Sequence, residues 1–166
     1  MLLEAVLARC RAFEARAGAI YRAFAARTGD DAAWCGLWTE LAREEEAHGA
    51  ALTRASRWLD RADGWHTNLS GWDEALDEIE ARLAEAESPD VGADRDRQLL
   101  VALALERSEL DPIYHRLTAL THAAGDAGPD RHAHVEPLVA AAERSTAPAV
   151  RLEAALLRAR MLLEHG

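Results

Sequence analysis

The sequence contains no lysine; all of its 19 basic residues are arginine. Schiff-base chemistry on a lysine amine is therefore excluded. Cysteine is nearly as scarce. Cys10 and Cys35 form no Cys-x-x-Cys pair, which excludes zinc-ribbon and rubredoxin-type sites and predicts two small buried apolar residues. Proline is missing before Pro89, so the first half can run in long unbroken helices. No apolar run approaches the roughly 18 residues that span a bilayer. Positive charge is in deficit: 29 acidic residues give a net charge of −10. Such a charge repels nucleic-acid phosphates and anionic lipid heads, so neither nucleic acid nor membrane is expected as a partner. The opening Met1-Leu2-Leu3-Glu4 has no basic stretch and reaches a charge too early for a secretory signal, which makes the cytoplasm the expected compartment. Strand-type alternation is absent throughout.

What is present is helical. About a fifth of the chain is alanine, the strongest helix former. Residues 2–28 place Leu3, Leu7, Cys10, Ala17, Tyr21 and Phe24 on one face, and Thr28-Gly29-Asp30-Asp31 stops the helix and offers Asp30 as the next N-cap. A second helix, 31–61, carries Trp34, Trp38, Leu41, Leu52, Ala55 and Leu59 on one stripe. Residues 62–93 form a long connection. Within it Ser70-Gly71-Trp72-Asp73 opens an acidic helix, 71–87, with Leu76, Ile79 and Leu83 inward. A third long helix, 94–123, follows. The last part, 129–164, is expected to kink near Pro137 and break near Pro148. The pattern predicts one all-α domain over 1–166. It consists of two helical hairpins joined by a crossover, with a C-terminal helix at 146–164.

The informative residues are polar ones on apolar stripes. Glu14 lies in the series Leu7, Cys10, Glu14, Ala17, Tyr21, and Glu45 and His48 lie in Trp38, Leu41, Glu45, His48, Leu52. Glu106 lies in Leu99, Leu103, Glu106, Leu110, Ile113, with Glu109 one turn further on. An unpaired buried carboxylate costs several kcal/mol. Glu44-Glu45-Glu46 can be read as a solvated acidic patch, and Glu106 and Glu109 as surface partners of Arg107 or Arg116. Three helices with a stripe carboxylate, one of them with histidine at i+3, are better explained by a shared cation.

The order Glu14…Tyr21, Glu45-Glu46-Ala47-His48 and Glu106-Arg107-Ser108-Glu109…Tyr114 resembles the rubrerythrin branch of the ferritin-like superfamily. That resemblance implies a four-helix bundle around a carboxylate-bridged di-iron centre that handles peroxide or O₂. Glu14 would then be the ligand from the first helix, Glu45 a bridging carboxylate with His48 beside it, and Glu106 and Glu109 the pair from the third. Tyr21 and Tyr114 would stand near the centre as catalytic residues. In the fourth helix His134 aligns with His48, but Arg131 stands where a carboxylate would be. An arginine cannot ligate a metal. Asp130 or Glu136 could replace it, and His132 and His134 can equally be solvent-facing. The resemblance thus implies an altered site, with di-iron, mononuclear and metal-free states all open.

Five tryptophans, at 34, 38, 58, 65 and 72, read as core and crossover packing, or else as a patch for self-association. The abundant alanine allows close helix approach and a homodimer. Two functions follow. One is a ferritin-like metalloprotein with iron-dependent oxidase or peroxidase-type chemistry. The other is an inactive bundle of the same type that serves as a structural or dimerisation module, with Arg131 pairing to the glutamates.

Overall fold

The structure is a computed structural model and describes residues 3–59, 71–109 and 135–164. These are almost wholly helical, with no strand among the described residues. The α-helices are α1 (Leu3–Arg27), α2 (Ala32–Leu59), α3 (Trp72–Ala86), α4 (Arg95–Glu109), α5 (Val135–Glu143) and α6 (Pro148–Glu164), with a short 3₁₀ turn at Val91–Ala93. None is long and apolar enough to cross a membrane.

Helices α1 and α2 form the most extensively packed pair. Gly29, with φ at +62°, turns the chain between them, a conformation that costs glycine little. The N-cap of α2 is Asp31 rather than Asp30: its Oδ1 accepts the Trp34 N–H at 3.3 Å. The two helices close on an aromatic cluster. Tyr21 stacks on Trp38 at 6.1 Å, Phe24 meets Trp38 edge-on at 5.2 Å, and Trp34 lies 5.7 Å from Trp38. Tyr21, Phe24 and Trp38 are fully buried, worth roughly 1.5–3 kcal/mol for a side chain of this kind. Trp72 is buried too, so Trp38 and Trp72 are part of the core, with Trp34 packed half-buried against it; the Trp58 and Trp65 side chains lie outside the described residues.

The predicted crossover helix is present. α3 buries Trp72, Leu76, Ile79, Leu83 and Ala86 and turns its acidic side outward. Arg9 bonds Asp77 and Glu80, at 2.7 and 2.9 Å, and Arg16 bonds Glu87 at 2.7 Å. Residue numbers rise together on both helices, so α3 runs parallel to α1. Its N-cap is Gly71, at φ +83° and without a side-chain cap bond; Ser70 lies outside the described residues. α4 then starts beside α2. Arg95 pairs with Asp31 at 2.9 Å, and its guanidinium lies 5.2 Å from the Trp34 ring centroid. Further along, Glu106 meets Tyr21 of α1. α4 is therefore antiparallel to α1 and parallel to α2, as a crossover connection requires.

α5 and α6 pack on α4 and on each other. Ser145 donates to Asp96 at 2.6 Å, and Arg107 pairs with Glu153. Arg158 joins α6 to Glu136 and Glu143 of α5, at 3.2 and 2.7 Å. The chain breaks before Pro148, which opens α6, where its missing N–H costs nothing. Pro137, near which a kink is expected, lies in the first turn of α5, and the residues before Val135 are outside the described residues. Cys10 is buried as expected, whereas Cys35 is only half-buried; the two form no disulfide.

Candidate metal centre

Midway along α1 and α2 the periodicity that builds the core also turns polar groups into it. Glu14 and Glu45 are each only 2% exposed. Glu45 differs in this from its neighbours. Glu46 is exposed and pairs with Arg22 at 2.6 Å, and Glu44 pairs with Arg43 at 2.8 Å. The acidic patch thus faces outward at 46, is half-buried at 44 and turns fully inward at 45.

His48, one turn after Glu45, completes the group. Its Nδ1 lies 3.6 Å from Glu14 Oε2 and 3.6 Å from Glu45 Oε2. One ligand atom from each of the three residues falls within 4.8 Å of the others. The two 3.6 Å separations exceed an ordinary N–H···O bond. They are close to the roughly 3.0–3.5 Å between neighbouring ligands on one ion with bonds of about 2.1 Å. The donors are two carboxylates and one imidazole, a set suited to a borderline divalent ion. The donor chemistry and spacing therefore fit a cation. The His48 side chain is 12% exposed, but its Nε2 and the Oε2 atoms of both glutamates are buried.

Two glycines shape this place. A Cβ on Gly18 of α1 would stand 3.4 Å from the Glu45 Cβ, and a Cβ on Gly49 of α2 would stand 3.7 Å from the Glu14 Cβ. Each glutamate is thus followed, four residues on, by a glycine that faces the other helix's glutamate. The repeat Glu-x-x-x-Gly occurs at 14–18 and at 45–49, and two antiparallel helices bring the two copies into register.

The remaining candidates separate. Glu106 is 1% exposed and accepts a 2.8 Å hydrogen bond from the Tyr21 hydroxyl, itself fully buried. It is not among the three residues grouped at the cluster. Tyr21 lies two turns from Glu14 on the same face of α1, about 10 Å along the axis. Glu109 ends α4, but its side chain, like Tyr114, Asp130, Arg131, His132 and His134, lies outside the described residues. Glu136 is on α5 and is taken up by Arg158. Sequence reasoning missed the role of the glycines, although the repeated Glu-x-x-x-Gly spacing was visible.

A separate groove of about 780 Å³ opens nearer the start of α2, against α4 and α5, with Trp34, Leu37, Glu40, Arg95, Leu99 and Arg144 among its lining residues. It contains none of the cluster residues. The chain matches no protein-family model, no curated protein and no solved structure.

Proposed function

We propose that this chain is a metal-binding helical bundle of ferritin-like type, in which Glu14, Glu45 and His48 hold one divalent cation, with iron as the working ion. The observation that carries the reading is the convergence of two buried carboxylates and an imidazole from facing helices within 4.8 Å. Two carboxylates balance the charge of a divalent ion. The parallel course of α2 and α4, with α3 between them in sequence, supports the ferritin-like arrangement.

In this reading Glu14 and Glu45 bind through oxygen and fix the site between α1 and α2. His48 binds through a ring nitrogen in its neutral form. Tyr21 holds the Glu106 carboxylate by donating its hydroxyl proton. Iron, when bound, supplies the one-electron chemistry of an oxidase or peroxidase acting on O₂ or peroxide.

A second reading keeps the same geometry without metal. Protonated His48, 3.6 Å from both carboxylates, would act as a buried counter-ion in a purely structural bundle. Elemental analysis of protein purified without chelators separates the two. The metal reading expects about one ion per chain, lost in Glu14→Gln/Glu45→Gln. A chain that carries none, and takes up no ferrous, manganous or zinc ion when these are added, is the structural bundle instead.

A further inference from the structure

Helix α6 has two apolar stripes. Val150, Ala154, Leu157 and Met161 are buried, on a helix that packs against α4 and α5. The opposite stripe is Leu152, Ala155, Leu156, Ala159, Leu162 and Leu163, all exposed, with Leu162 at 71% and Leu163 at 83%. Its steps of three and four repeat over 152–163, the spacing of a helix–helix seam. The four leucines alone expose on the order of 450 Å², a patch of the size that marks an interaction surface.

We propose that this stripe is the interface of an antiparallel homodimer, α6 of one copy against α6 of a second. Three features favour a second copy of this chain as the occupant. The first is shape. With Leu152 set opposite Leu163 of the second copy, Leu156 falls opposite Ala159, large against small, and two-fold symmetry repeats both matches. The second is charge. On one flank Glu153 is already neutralised by Arg107, so it brings no bare charge against its copy. On the other flank Arg158 is already neutralised by Glu136 and Glu143. The third is area. Ala155, Ala159 and the arginine stems add to the leucine surface and bring each copy toward the roughly 800 Å² that a stable pair buries per partner. A lipid surface fits less well. The stripe has no aromatic anchor, its arginines have acidic neighbours, and the chain carries a charge of −10.

The test is sedimentation equilibrium of the full chain and of Leu156→Glu/Leu163→Glu. Both leucines are exposed, so the variant keeps its fold, which circular dichroism and the melting temperature verify. The expected result is a dimer whose dissociation constant rises roughly a hundredfold or more in the variant. Orientation is read by oxidising Leu152→Cys and Leu163→Cys chains, each in a Cys35→Ser background. A disulfide-linked dimer should form when the two are mixed and not from either alone. A monomeric wild-type chain, a dimer indifferent to the two glutamates, or a monomer that sediments with phosphatidylserine vesicles would overturn the proposal. Cross-linking of the Leu163→Cys chain by itself would overturn the antiparallel register.

Discussion

Tyr21→Phe removes a single oxygen from a site where both partners are out of solvent. The hydroxyl donates to Glu106 Oε1 at 2.8 Å, with Tyr21 fully buried and Glu106 1% exposed. The ring stays, so the stacking on Trp38 and the contact with Phe24 are kept. What is lost is one hydrogen bond to a carboxylate and the tie it makes between α1 and α4. A hydrogen bond to a charged group contributes about 1.5–3 kcal/mol. For a chain of this size each kcal/mol moves the melting temperature by about 2–4 °C, so a fall of about 3–12 °C is expected. Urea unfolding followed by circular dichroism gives the free energy directly. In a Glu106→Gln background the acceptor is neutral, and the same tyrosine change should cost about half as much. If Tyr21→Phe shifts stability by less than about 0.5 kcal/mol, or costs the same in both backgrounds, the bond is not what joins α1 to α4.

Other consequences are simpler to check. Gly36 lies inside α2, is exposed, and has nothing within 4 Å of the place a methyl group would take. Gly36→Ala should therefore stabilise the chain by about 0.5–1 kcal/mol in the same urea titration. Arg16 donates to Glu87 and holds its carboxyl below the usual carboxylate range. A carboxyl depressed in the folded state contributes stability above its unfolded pKa, and that contribution is lost as pH falls through the folded value. Arg16→Gln should accordingly flatten the acid limb of a stability-versus-pH curve; an unchanged limb would mean that this α1–α3 pair contributes nothing to stability. Gly49→Ala places a methyl 3.7 Å from the Glu14 Cβ and should fold normally, because that is an ordinary contact distance. A variant that fails to fold would mean the two helices are closer there than their glycines suggest.

The sequence was most readable where one helix decides the outcome by itself. Glu14, Glu45 and His48 fall on apolar stripes because the 3.6-residue period is strict over helices of 25 and 28 residues. The same period explains why Glu45 turns inward while Glu44 and Glu46 find arginines outside. The crossover helix was equally plain, since Leu76, Ile79 and Leu83 make a narrow stripe on an acidic segment. Matters that depend on a second helix were less readable. That Tyr21 would find Glu106, 85 positions away, follows from how α4 lies on α1 and not from either stripe. The choice of Asp31 over Asp30 as cap turned on one residue of helix phase. In α6 the buried and exposed stripes have the same spacing, so pattern alone could not say which one faces the core. The fourth-helix candidates, Arg131 and His134 among them, fall outside the described residues.

The most direct measurement is anaerobic calorimetric titration of chelator-stripped protein with ferrous iron, beside Glu45→Gln and His48→Ala. The account predicts about one ion per chain in the wild type, weakened roughly a hundredfold in either variant, with protons released on binding, so that affinity rises with pH. No heat of binding in the wild type, or binding that both variants leave unchanged, would contradict a cation site at Glu14, Glu45 and His48.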